Sequence, residues 1–154
     1  DRSCTITASY GGKSDEHNLT IKNVLPDYVV QSASFSPPYL YTGEKVNVKF
    51  TVKNQGGLPS NPPSYVTIYL DSLANVPGYS APIMTVKVGG TLGLYSGQSV
   101  TLTVSPTIPS GIPAGKYYIR VIADYYKTEK ESNENNNVLE ASGHLIVYAG
   151  GSIL

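Results

Sequence analysis

The sequence predicts an all-β fold: an immunoglobulin-like two-sheet sandwich of about seven strands, with an extra N-terminal hairpin or donated strand. Three observations carry this reading. Apolar residues alternate with polar ones in one run after another, Gly- and Pro-rich turn segments separate those runs, and no stretch of helical length keeps a helical period.

Residues 4–10 set Cys4, Ile6, Ala8 and Tyr10 against Thr5, Thr7 and Ser9. Side chains alternate across a strand, so this is a strand with one apolar side. Residues 18–24 carry Leu19, Ile21 and Val24 as a second strand, with GGKSDEH (11–17) as the connection. Residues 1–25 thus form an N-terminal strand extension, residues 26–148 the sandwich, and residues 149–154 a tail. In KVNVKFTVKN (45–54), Val46, Val48, Phe50 and Val52 face the core, while Lys45, Asn47, Lys49, Thr51 and Lys53 face water. The same alternation turns Val66, Ile68 and Leu70 inward in SYVTIYLDS (64–72), and Val100, Leu102 and Val104 inward in QSVTLTVS (98–105). IMTVKV (83–88), KYYIRVIADYY (116–126) and GHLIVY (143–148) complete the strands. Turns are marked by SPPYLYTGE (36–44), NQGGLPSNPPS (54–64), GGTLGLYSGQ (89–98) and PTIPSGIPAG (106–115), where Gly and Pro supply backbone angles that strands do not use. Tyr117 follows Gly115 at the start of a strong strand, the place of a tyrosine corner whose hydroxyl returns to backbone a few residues upstream; an exposed strand tyrosine is the other reading.

A chain of 154 residues is long enough for one domain with a substantial core. Charged residues make up only 14% and the net charge is zero, so the electrostatic drive for nucleic-acid or anionic-membrane binding is missing. No run of the sequence has the length of a membrane span. The start, DRSCTITASY, has no signal-peptide pattern: a signal was removed before Asp1, or the chain never had one. Cys4 is the single cysteine, which excludes an internal disulfide and leaves either a bond to another chain or a small apolar residue on an edge strand.

Catalytic patterns are absent. His17 and His144 have no partner at metal-ligand spacing. The Gly-Gly pairs belong to turns, and no nucleophile elbow, phosphate loop or dinucleotide fingerprint occurs. Glu129, Glu131 and Glu134 have no apolar neighbours in sequence to raise one pKa for acid catalysis. The chain is read as non-enzymatic. Among thirteen tyrosines, Tyr28, Tyr39, Tyr41, Tyr65, Tyr69, Tyr95, Tyr125 and Tyr126 fall on outward positions or loops, which suits protein interfaces or sugar stacking as well as simple strand propensity. Asn18-Leu19-Thr20 is a glycosylation sequon, with Asn18 as acceptor.

The stretch EKESNENNN (129–137) has two readings. As a hairpin connection it needs no ligand, because asparagines accept left-handed backbone and cap neighbouring amides. As a binding site it offers Asp124, Glu131, Asn133, Glu134 and Asn136 as oxygen donors for calcium, a cation that takes six to eight oxygens. No cofactor other than this candidate calcium is expected.

PDYVV (26–30), SPPYLYTGEKVNVKFTVKNQG (36–56), Gly115–Tyr117, Ile119–Asp124 and ESNENNN (131–137) together resemble the CARDB family, cell-adhesion-related domains of bacterial and archaeal surface proteins. The resemblance implies an immunoglobulin-like sandwich at an extracellular, cell-surface location, with binding or adhesive roles and no catalysis. It leaves residues 1–25 unmatched, and the segment between Asp71 and Gly97 is longer than the family pattern.

That unmatched extension separates two functions. In the first, the chain is a complete secreted subunit of a surface filament, a homopolymer in which the strand bearing Cys4, Ile6, Ala8 and Tyr10, or else Leu145, Val147 and Ile153-Leu154, is donated to the next copy. In the second, the chain is a module of a larger surface protein that binds another surface protein or a glycan, or acts as a spacer. Neither involves nucleic acid or a membrane span.

Overall fold

The computed structural model describes residues 2–21, 24–59, 63–72 and 79–150. In chain order the described strands are β1 (Arg2–Tyr10), β2 (Lys13–Ile21), β3 (Tyr28–Ser36), β4 (Tyr39–Tyr41), β5 (Asn47–Asn54), β6 (Ser64–Ser72), β7 (Ser80–Val88), β8 (Ser99–Val104), β9 (Gly115–Ala123), β10 (Val138–Glu140) and β11 (Leu145–Tyr148). The candidate donor residues Ile153 and Leu154 lie outside the described residues.

β1 and β2 pair antiparallel with each other and with no other described strand. Gly11 and Gly12 join them with φ of 58° and 75°. Left-handed angles at both central residues are what a tight two-residue hairpin needs, and glycine reaches them without strain. β2 therefore starts at Lys13, inside the stretch that the apolar pattern reads as a connection: a strand exposed on both faces carries no hydrophobic period to mark it.

The remaining strands build the sandwich. One sheet runs β3-β5-β8; the other runs β4-β11-β9-β6-β7, with β10 also on β9. The chain crosses between sheets at Ser36-Pro37-Pro38, after which β4 lies parallel to β11 while the other paired strands are antiparallel. Two of these strands, β4 and β10, are only three residues long, too short for alternation to register.

The inward rows are those that alternation assigns. Val46, Val48, Phe50, Val52, Val66, Ile68 and Leu70 have no exposed surface. Val100, Leu102 and Val104 on β8 pair with Val52, Phe50 and Val48 of β5, and so share the core face, but stay only half-buried at the sheet edge. Tyr117 is buried, and its hydroxyl donates to the Pro113 carbonyl at 2.7 Å, closing the tyrosine corner. β9 stops at Ala123 rather than reaching Tyr126, because Asp124 takes a left-handed backbone with φ of 44°.

Phe50 sits at the centre of the inner face of β5, whereas the Thr51 hydroxyl meets that of Thr101 on the outer face at 2.8 Å. Phe50→Ala should cost about 3–5 kcal/mol in equilibrium denaturation, and Thr51→Ala about 1 kcal/mol or less. Equal losses would mean that the faces are reversed.

Candidate functional site

The connection 124–137 is built around a carboxylate. Asp124 Oδ1 accepts from the Thr128 N–H at 3.0 Å and its hydroxyl at 2.9 Å, and Oδ2 accepts from the Glu129 N–H at 3.0 Å. Farther along, Asn133 Oδ1 accepts from the Asn135 N–H, and Glu134 Oε1 accepts from the Glu131 N–H. These side chains shape the loop from within. Composition marks the loop as polar, yet Asp124, Glu129, Glu131 and Asn137 are buried.

The loop closes over residues 25–28, the segment that follows the hairpin. Tyr28 N–H donates to Glu131 Oε2 at 2.6 Å, and Ser132 N–H donates to the Pro26 carbonyl at 2.9 Å. Asn136 Nδ2 donates to Asp27 Oδ1 at 2.8 Å. From the other side, Gln55 and Gly57 donate their N–H groups to the carbonyls of Asp27 and Leu25, and Gln55 Nε2 reaches Asp27 Oδ2. Asn54, fully buried, accepts from the N–H groups of Asp27 and Gly56 and donates to the carbonyls of Gly57 and Leu94. A Cβ on Gly56 or Gly57 would collide with the carbonyl of Leu25 or Val24, so the Gly-Gly pair exists for this close approach.

Tyr28 requires a correction, because alternation and loop position mark it as outward. It is 1% exposed, with its hydroxyl accepting from Ser64 Oγ at 2.8 Å. Burial pushes the phenol up to about 12, and the negative charges of Glu129, Glu131 and Asp124 push the same way. Glu131 is similarly strained. Burial raises it to about 7, the Tyr28 N–H and the Asn137 amide hold it down, and the charges of Asp124 and Glu134 raise it again.

Of the five calcium candidates, Asp124, Asn133 and Glu134 already hold loop amides, while Glu131 and Asn136 lie where the loop meets the junction. No group of three or more His, Cys, Asp or Glu among the described residues is arranged to hold a metal. Two carbonyl oxygens do stand out: Asn136 Oδ1 and Asn137 Oδ1 are buried without a protein donor. Asn137, whose Nδ2 donates to Glu131 Oε1 at 2.5 Å, is a residue that sequence reasoning missed. So are Asp27 and Asn54; the only local signal for Asn54 was an asparagine at a strand end before Gly-Gly.

The hairpin presents a different surface. Cys4, Ile6, Ala8 and Tyr10 lie opposite Leu19, His17, Asp15 and Lys13, and opposite residues share a face. The apolar row therefore runs down β1, in water, with Ile6 56% and Tyr10 94% exposed. Thr5, Thr7 and Ser9 form the polar face with Asn18, Glu16 and Ser14; Thr5 Oγ1 donates to Asn18 Oδ1 at 2.9 Å. Cys4 is exposed. On the sandwich, Tyr39, Tyr41 and Tyr148 are exposed along β4 and β11, with the Tyr41 and Tyr148 rings 5.5 Å apart. His144 packs on Tyr118, and His17 contacts Asp15. No described helix is long and apolar enough to cross a membrane.

The CARDB family profile matches residues 25–141. The chain belongs to the CARDB family. CARDB domains are non-catalytic modules of a cell-adhesion-related kind. The CARDB domain of a Pyrococcus furiosus protein, a crystal structure in complex with di-metal ions, is 25% identical, with a TM-score of 0.56 over 86% of this chain and 95% of that one. The solution structure of a Pyrococcus furiosus CARDB domain gives 26% identity and a TM-score of 0.55, over 80% and 95% of the two chains. Comparison with curated proteins returned no match. The family match begins at Leu25, so the hairpin lies outside it and the clasped junction marks the boundary.

In this CARDB domain the buried Glu131 sets a pH dependence. Its folded pKa of about 7 lies above the ordinary carboxyl value of 4.5. The folded state then binds the proton more tightly than the unfolded chain. Its stabilising contribution is fully present below about pH 4.5 and is lost as pH rises through about 7. Thermal melts in chelator should show this decline, and Glu131→Gln should flatten it while raising the melting temperature at pH 8. A Glu131→Gln profile parallel to the parent would remove the assignment.

Proposed function

We propose that this CARDB domain is a non-enzymatic, extracellular structural module that assembles with further copies of itself into a surface filament, using the N-terminal hairpin for strand addition. The observation that carries the reading is the hairpin itself. A two-stranded ribbon is marginal alone in water, yet this one holds an apolar row of Cys4, Ile6, Ala8 and Tyr10 with no strand or sheet over it. An added neighbour would cover that row and pair the strand edge. The clasp at residues 25–28 supports the same role, because it holds the segment that follows the hairpin against the sandwich. A glycan on Asn18 would leave from the polar face and keep the apolar row clear.

A glycan- or protein-binding spacer within a longer surface protein is the second reading. It draws on the exposed tyrosines of β4 and β11, large surfaces with polar tips. Calcium fits either role. The two donor-less asparagine oxygens, the unfavourable ionisation of Glu131 and the di-metal complex of the Pyrococcus furiosus domain favour a cation at the 124–137 loop. Glu131, Asn136 and Asn137 would hold it, and the ion would lock the loop onto the hairpin root.

Light scattering over a concentration series tests assembly. Ile6→Asp, which puts a charge in the row to be desolvated, should raise the concentration needed for assembly at least about tenfold, for which a loss of only ~1.4 kcal/mol per contact suffices. Thr5→Asp should leave it nearly unchanged. A chain that stays monomeric throughout, with or without residues 1–21, would transfer the function to the binding-module reading. For the cation, calcium at a hundredfold excess over its dissociation constant should stabilise the fold by about 2.7 kcal/mol. Denaturation curves identical in calcium and in chelator would dismiss it.

A further inference from the structure

We infer that the acceptor in this assembly is the free edge of β8, and that the strand added to it is β1 of a second copy; this rests on the strand-addition reading above. Five strands of the sandwich pair on one side only: β3, β8, β4, β7 and β10. Sheet edges left open invite pairing with other chains, and proteins blunt them with charge, proline, bulges, short length or a covering loop. Four of the five are blunted here, β10 by being three residues long and ending in Glu140. β3 breaks register between Val30 and Ser32, and its start lies under the acidic loop through Glu131. β4 is three residues long and follows Pro37-Pro38. β7 contains Pro82 and Lys87 and breaks register opposite Ile68 and Tyr69.

Among the described residues β8 has none of these devices. Its sequence, SVTLTV, has no charge and no proline, and it pairs with β5 without a register break. Its inward residues Val100, Leu102 and Val104 remain half-buried although their β5 partners are fully covered. That is the condition of a strand whose outer neighbour is missing.

The hairpin supplies a matching strand. Its two edges differ: β2 carries Lys13, Asp15, Glu16 and His17, whereas β1 carries no charge from Ser3 to Tyr10. A charged edge resists addition and an uncharged one permits it. β1 also repeats the pattern of β8. Cys4, Ile6 and Ala8 would extend the apolar row of Val100, Leu102 and Val104, and Thr5 and Thr7 would extend the outer row of Thr101 and Thr103, where Thr51 and Thr101 already join hydroxyls. Donor and acceptor are different parts of the molecule. The contact is therefore heterologous, and copies joined through it build an open chain wherever the rotation between them does not close.

The single cysteine makes the contact testable. Opposed residues of neighbouring strands have Cα atoms about 4.5–5.5 Å apart, within disulfide reach. Val100→Cys, Leu102→Cys and Val104→Cys are each oxidised at assembly concentration, with Thr85→Cys on β7 as control, and the linked peptides are identified by mass spectrometry. The expected result is a ladder of dimers and higher multimers, absent on reduction, in which Cys4 of one chain is joined to the β8 cysteine of another. Assembly that persists with Cys4 linked only to Cys4, only to position 85, or to no β8 position would overturn the β8 assignment while sparing strand addition. A Cys4–β8 disulfide within a single monomer would also overturn it, showing that the hairpin closes its own edge. A chain that never assembles would overturn both readings.

Discussion

The place where the N-terminal segment meets the sandwich depends on how residues 25–28 are held. The carbonyls of Leu25, Pro26 and Asp27, the N–H groups of Asp27 and Tyr28, and both Asp27 carboxylate oxygens all find partners from either the Asn54 turn or the 124–137 loop. Polar backbone removed from water must be satisfied in this way or cost free energy. The hydrogen bonds are thus a condition for burying the junction at all. Once they form, residues 25–28 are held between the Asn54 turn and the 124–137 loop.

Satisfying that junction has an electrostatic consequence. The partner for the Tyr28 N–H is a carboxylate taken out of water, in a loop that already carries Asp124, Glu129 and Glu134. Desolvation opposes ionisation of Glu131 more strongly than two hydrogen bonds favour it, and neighbouring charges of the same sign add to the opposition. A proton or a cation relieves the same excess of negative charge. The loop is consequently the part of the sandwich whose stability answers to solution conditions, and it closes over the root of the hairpin.

Much of this was legible in residue order, and the parts that were not share a cause. Alternation in 45–54 and 64–72 identified the covered apolar rows correctly, although Thr67 in the other row of β6 is buried as well. Tyr117 could be placed from its distance to Gly115. The family pattern rightly drew attention to ESNENNN but could not show that Glu131 is buried, since its partner Tyr28 lies 103 positions away. The same separation hid Tyr28, whose inward position is fixed by Ser64 and Glu131 rather than by any local period. Local pattern also carried the strand at 116–126 three residues too far: Tyr125 and Tyr126 favour strands, but the Asp124 carboxylate makes a tighter turn with Thr128 and Glu129. In each case a long-range or side-chain hydrogen bond outweighed propensity.

Edge position accounts for the half-covered apolar rows of the sandwich. β7 ends one sheet and β8 the other, each with a neighbour on one side only. Met84 and Val86 on β7, like Val100, Leu102 and Val104 on β8, pack against the core and still reach solvent. A sandwich that ended its function at its own surface would gain from closing these rims with charge or bulges, and β7 does so with Lys87 and Pro82. β8 keeps a plain, uncharged edge beside a half-covered row, while the same chain carries a hairpin with an uncovered row of its own. Two incomplete surfaces of matching character on one chain satisfy each other most directly through a second copy.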